Sequence, residues 1–325
     1  MKTLICAGDS YTDVTRVGNS SSLVWPNFLA EKIKAKHLIN IGSSGAGNYE
    51  IFSRIVDEIT LNKNIDLVVV MWSEFPRLDF ELDIRTDQWP PKGRTGRADP
   101  YAARRLKKGK NKFPQNYMNI HPQREVTHPS KYDGRIIIEN GKKKVLSGLK
   151  HRISFEFITS YLTNYYADVN KFMRYAYSLQ SICENEHIPY IQIMGCEPIM
   201  DVPGPARALV SARMREFKFE IGDGKWIETP DLEGLHHSVL NHITDHHMFD
   251  NIKKNFIGWP IFQELDGYHI DNFLELKDLK WDGKQGSRWP ADLRISEKDS
   301  HPNETGHKLI GELLYNEYKK IYPKD

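Results

Sequence analysis

Residues 4–12 read Leu4-Ile5-Cys6-Ala7-Gly8-Asp9-Ser10-Tyr11-Thr12, an apolar run closed by a glycine and a short polar segment. A continuous apolar stretch of this length marks a strand buried on both faces, the pattern of a parallel sheet covered by helices. Such sheets present their ligands beyond the carboxyl ends of the strands, so the hydroxyl of Ser10 falls where a reacting group belongs. Far along the chain stand Asp299-Ser300-His301-Pro302-Asn303, followed by Gly306 and His307. They supply an imidazole and a carboxylate. A serine activated by a histidine that a carboxylate orients is the general recipe for acyl transfer.

The chain between these ends alternates strand and helix patterns. Trp25, Phe28, Leu29 and Ile33 recur at helical spacing, and Leu38 to Ile41 read as a second strand. Ile51, Ile55 and Ile59 repeat every four residues behind Asn48, a candidate N-cap. Asp66 to Trp72 is a third, buried strand. Leu162, Tyr165, Val169, Phe172, Ala176, Leu179 and Cys183 form one face of a long helix, Pro189 to Met194 a fourth strand, and Glu304 to Ile321 the last helix. Strands separated by helices imply parallel pairing with right-handed crossovers.

Composition narrows the class. Of 325 residues, 39% are hydrophobic and 27% charged, with a formal net charge of +2, values that fit a globular protein and give no reason to expect a nucleic-acid partner. No apolar stretch approaches the ~20 residues of a membrane helix, and Met1 to Cys6 lead straight into the first strand, so a cytoplasmic location is expected. Three cysteines, with Cys6 and Cys196 in or just after buried strands, fit a reducing compartment.

The whole chain, 1–325, reads as a single α/β domain in which two long segments, about 78–155 and 200–296, lack sustained periodicity. They are too long for ordinary connections and are expected to cap the carboxyl ends of the strands. The first carries a basic run from Lys92 to Lys112 that is either a solvated loop or a contact for an anionic or protein partner. The second carries His236, His237, His242, His246 and His247. His242 and His246 have the i, i+4 spacing of a helical zinc pair, but a third ligand in a defined place is missing, so no metal is expected.

Gly8-Asp9-Ser10 at one end, Asn40-x-Gly42-x-x-Gly45 after the second strand and Asp299-x-His301-Pro302 at the other end together resemble the SGNH (GDSL) hydrolase family. The resemblance implies a flavodoxin-like three-layer α/β/α sandwich with a mostly parallel sheet, no metal or organic cofactor, and ester hydrolysis or acyl transfer. It makes Ser10 the nucleophile, His301 the base and Asp299 the orienting acid. The family spacing would put the acid at Lys298, so Glu297 stands as the substitute for Asp299. Asp9 reads as a structural acid holding the nucleophile turn, and His307, a turn into the last helix, as a bystander.

For the oxyanion hole the resemblance implies the backbone N–H groups of Ser10 and Gly45 and an asparagine side chain after the third strand. Here the segment reads Met71-Trp72-Ser73-Glu74-Phe75-Pro76-Arg77, with Ser73 at the asparagine position. Loss of one such donor costs about 2.7–4 kcal/mol of transition-state stabilisation, so Asn48 or Arg77 would have to compensate. Trp72 either stacks on a sugar ring or packs in the core. With Trp89, Trp226, Trp259, Tyr268, Trp281 and Trp289 in the long segments, the expected substrate is an acyl ester, such as O-acetyl, on a carbohydrate. The rival expectation is an SGNH-fold binding or structural protein with weakened chemistry, for example a virion-associated one encoded by a bacteriophage.

Overall fold

The computed structural model describes residues 3–13, 23–75, 77–82, 116–120, 136–139, 142–145, 165–195, 239–253, 255–258, 273–278, 291–296 and 299–323. At 80–82, 116–120, 136–139, 142–145, 165, 291, 299 and 300 the description is of the backbone alone. The basic run, the tryptophans of the long segments, Glu297 and most of the expected cap lie outside these residues.

The apolar runs become a sheet. β1 (Thr3–Ala7), β2 (His37–Asn40), β3 (Leu67–Trp72), β8 (Tyr190–Met194) and β9 (Phe256–Ile257) lie in the order β2-β1-β3-β8-β9, every pair parallel. Counting only these five strands, the order is 2-1-3-4-5, the flavodoxin-like doubly wound arrangement. Its topological switch point falls between β1 and β3, so the segments leaving those two strands face the crevice where such sheets hold ligands.

Strand alternation splits the core in two. Ile5, Ala7, Val68, Val70 and Trp72 point to one face, where α2 (Asn48–Leu61) and α3 (Tyr165–Asn185) cover them with Ile51, Ile55, Phe172, Ala176 and Leu179. Leu4, Cys6, Val69 and Met71 point to the other, beneath α1 (Trp25–Lys32) and α4 (Glu304–Ile321), which contribute Trp25, Leu29, Ile310 and Leu314. Three layers result. Each fully buried large apolar side chain contributes about 1.5–3 kcal/mol, so both helix pairs are anchored by hydrophobic burial rather than by surface charge.

Parts of both long segments are described. Residues 239–257, inside the second expected cap, send Val239, Ile243, Phe249 and Phe256 into the α2/α3 core and close the sheet edge through β9. The first long segment opens with β4 (Leu78–Leu82), which pairs antiparallel with β5 (Asn116–Ile120); β6 (Ile136–Glu139) and β7 (Lys142–Val145) form a further antiparallel pair. Among the described residues no helix is long and apolar enough to cross a membrane.

Candidate active site

Ser10 follows β1 in a tight turn that its neighbour Asp9 builds. The Asp9 carbonyl accepts from the amides of Thr12 (3.0 Å) and Asp13 (3.1 Å), and its Oδ1 accepts from the amide of Tyr11 (3.0 Å). The loop after β2 is stitched onto this turn: Asn40 Nδ2 donates to Thr12 O (2.8 Å), Ser43 N to Gly8 O (3.0 Å), and Ser44 N and Oγ to Asp13 Oδ2 (2.9 and 2.7 Å). The approach demands Gly42, where a Cβ would lie 2.6 Å from the backbone carbon of Thr12. Gly45 in the same loop has φ 88°, a conformation glycine adopts without strain.

His301 arrives from the far end of the chain on β11 (Asp299–Pro302), which pairs antiparallel with β10 (Arg294–Ser296). Asn303 fixes that hairpin against α4. Its side-chain oxygen accepts from Gly306 N (3.0 Å) as the N-cap, while its amide donates to Asp292 O (2.7 Å) and Arg294 O (3.0 Å). The ring of His301 lies over Tyr11, centroids 5.3 Å apart, with Nε2 2.8 Å from Ser10 Oγ. Both side chains are largely buried, Ser10 6% and His301 9% exposed. Asp299 lies on β11 two positions before His301.

Beneath the turn lies a buried ion cluster that the sequence did not reveal. Arg77 Nη1 donates to Asp9 Oδ2 (2.8 Å) and to Ala46 O (3.1 Å), while its Nε and Nη2 grip Glu74 bidentately (2.8 and 2.9 Å). Ser73 Oγ donates to the same Asp9 oxygen at 3.0 Å. Asn48 clamps the Ser73 backbone: its Oδ1 accepts from Ser73 N (2.8 Å) and its Nδ2 donates to Ser73 O (3.0 Å).

These bonds bear on the expectations for four residues. The hydroxyl proton of Ser73 goes to a permanent acceptor, Asp9, rather than towards an incoming oxyanion. Arg77 and Asn48, expected as substrate or oxyanion contacts, are held by the cluster and the clamp. Asn48 is also the first helical residue of α2 rather than its cap; Gly47 is the cap, and Asp79 from β4 accepts from Gly47 N (2.8 Å) and Glu50 N (2.9 Å). Trp72 is fully buried, donates from Nε1 to Gln192 Oε1 (2.9 Å) and meets the edge of Phe172, so it packs rather than stacks on a ligand.

Two backbone donors remain. The N–H groups of Ser10 and Gly45 make no hydrogen bond among the described residues. His307, behind His301, is 2% exposed, and burial, aided by the nearby His301 charge, holds its pKa down at about 3. It stays neutral at physiological pH. Of the histidines in the second long segment, His242 Nε2 pairs with Asn170 Oδ1 (2.8 Å), and His246 Nδ1 accepts from Met248 N (3.2 Å) while its ring stacks on His247. Among the described residues no group of three or more potential ligands is arranged for a metal ion.

No family model and no curated protein matches the chain. Among solved structures it is similar to a protein assigned to the G-D-S-L lipolytic family from Desulfitobacterium hafniense DCB-2, with 10% identity, 97% of this chain and 98% of that one covered, and a TM-score of 0.34. It is similar also to an acetylxylan esterase from Geobacillus stearothermophilus (12%, 99% and 94%, 0.36). A third is an α/β hydrolase from the metagenome of Lake Arreo, Spain (13%, 97% and 94%, 0.35). Likeness at these scores carries no argument, and the chemistry has to come from the site's own atoms.

Proposed function

We propose that the protein is a serine ester hydrolase of the SGNH type, with Ser10 as nucleophile and His301 as general base. The observation that carries this reading is the 2.8 Å contact between Ser10 Oγ and His301 Nε2 across 291 residues of sequence, at the switch point of a doubly wound sheet. A serine hydroxyl is unreactive at neutral pH; neutral imidazole at hydrogen-bond distance takes its proton as the oxygen attacks an acyl carbon.

In the proposed cycle the Ser10 Oγ–carbon bond forms, the proton passes to His301, and the carbonyl oxygen becomes an oxyanion. The N–H groups of Ser10 and Gly45 serve as its donors. Collapse expels the alcohol, which takes the proton from His301. Water, deprotonated by the same imidazole, then attacks the acyl-enzyme; the acyl carbon–Oγ bond breaks, His301 returns the proton to Ser10 Oγ, and the acid leaves. Asp299, with Glu297 as the substitute, is the proposed partner of the second ring nitrogen.

A carbohydrate O-acyl ester is the proposed substrate class, on the strength of the family resemblance and the aromatic residues of the long segments. The commitment of Ser73 to Asp9 favours the second reading, a binding protein with weakened chemistry, because a third oxyanion donor is absent from the position where the resemblance expects one. Turnover of an aryl acetate decides between them. The enzyme reading expects turnover that Ser10→Ala removes, whereas no turnover by the wild-type chain on any acyl ester favours the binding protein.

A further inference from the structure

A cavity of about 170 Å³ opens between the first turn of α2 and the first half of α3, bordered by the segment that joins β3 to β4. It lies at the same carboxyl end of the sheet as Ser10. Arg77 lines it with one edge and donates to Asp9, beside the nucleophile, with another. The volume is well below the roughly 300–1,000 Å³ of pockets for drug-sized ligands, so it fits one small ring rather than a chain.

The lining selects among rings. Phe75 and Phe172 form an apolar floor, and Tyr49 and Tyr175, centroids 6.2 Å apart, stand as walls. Asp168 and Asp79 supply carboxylates and Lys171 an ammonium. An anion is disfavoured by the two carboxylates; burial first, and then the charge of Asp79 and its neighbours, push the pKa of Tyr175 up to about 12. A cation would compete with bonds already made: Lys171 pairs with Asp168 at 3.2 Å, and Asp79 accepts from the amides of Gly47 and Glu50. What the walls offer is hydrogen-bond donors and acceptors beside aromatic faces. The Tyr175 hydroxyl makes no hydrogen bond among the described residues, and its ring is only half-buried, stacked on Phe52 at 5.1 Å. A neutral polyhydroxylated ring uses all of these, stacking C–H groups on the aromatics and bonding hydroxyls to Tyr175 and Asp168.

We propose that this cavity, lined by Tyr49, Phe75, Asp168, Lys171, Phe172 and Tyr175, binds a single neutral sugar ring. That the ring belongs to the ester-bearing substrate rests on the function proposed above; the binding itself does not.

The test uses the full chain carrying Ser10→Ala, so that binding is read without turnover. Methyl glycosides of xylose, glucose, galactose, mannose and N-acetylglucosamine are screened by saturation-transfer NMR. Tyr175→Ala and Asp168→Asn are compared in the same background, with thermal melting as the control for folding. At least one glycoside is expected to bind at millimolar concentration, and each substitution to weaken it about tenfold or more. Should Tyr175→Ala fail to fold, Tyr175→Phe, which removes only the hydroxyl, is expected to weaken binding in the same direction. No binding by any glycoside, undiminished binding in well-folded Tyr175→Phe and Asp168→Asn proteins, or displacement of the glycoside by tetramethylammonium would overturn the proposal. Sugar binding by a wild-type chain that turns over no ester would instead remove the enzymatic reading and leave the cavity's role standing.

Discussion

Arg77→Met removes the hub of the buried cluster beneath the Ser10 turn. The guanidinium makes two bonds to Glu74, one to Asp9 and one to the Ala46 carbonyl, with its side chain 1% exposed and those of Asp9 and Glu74 at 0% and 4%. Methionine fills most of the stem's volume but removes the guanidinium from beside two buried carboxylates. Breaking a buried pair from one side costs about 3–5 kcal/mol, a large share of the roughly 5–15 kcal/mol that holds a domain together. Asp9 retains Ser73 and Tyr11 N as donors, whereas Glu74 loses both bonds of its bidentate grip, so most of the cost is assigned to Glu74. Neutralising it should therefore restore stability: Glu74→Gln in the Arg77→Met background is expected to recover about 1–3 kcal/mol relative to the sum of the single changes. Urea unfolding followed by circular dichroism and tryptophan fluorescence measures all four proteins, with an unchanged m-value as the check on the denatured state. A loss below about 1 kcal/mol for Arg77→Met, or additive single changes, would refute the coupling.

Ser73→Ala removes a hydrogen bond to a buried carboxylate, so it should lower stability by about 1.5–3 kcal/mol while lowering kcat by far less than the about 10²–10³-fold that loss of an oxyanion donor brings; urea melts and steady-state kinetics read the two separately. Asp79→Ala uncaps α2 and should cost about 1–2 kcal/mol, visible as a lower unfolding midpoint. His307, whose pKa is lowered from 6.5 to about 3, gains its proton only on unfolding, so between those pH values the unfolded chain binds more protons and stability falls as pH drops. Its share is about 2 kcal/mol at about pH 5, and His307→Leu should flatten the wild-type loss between about pH 7 and pH 5 by that amount in urea melts.

The parts of the fold that sequence revealed are those that local pattern controls. The continuous apolar runs at Thr3–Ala7, Leu67–Trp72 and Tyr190–Met194 had no stable home except a parallel sheet, and the Gly8-Asp9-Ser10 motif at the end of the first run put Ser10 at the switch point. β9, two residues long, is too short for any periodicity to register, so the segment around it read as cap. The roles of Ser73, Asn48 and Arg77 escaped for another reason. Each is set by a partner 25 to 68 residues away, Asn48 for Ser73 and Asp9 for Arg77, and a polar residue's sequence neighbours do not reveal where its hydrogen bonds will go. Trp72 occupies the last position of a strand buried on both faces, where either direction leads into a core; that burial pattern was the available hint.

The central claim is that Ser10 is a nucleophile activated by His301, and active-site labelling tests it most directly. A fluorophosphonate, followed by intact-mass and peptide mass spectrometry, should modify the wild-type chain once, on Ser10. Ser10→Ala should remain unlabelled, and His301→Gln should slow labelling by about 10³-fold or more. Stoichiometric labelling of a different residue, or equal labelling rates in the wild-type and His301→Gln chains, would contradict the account.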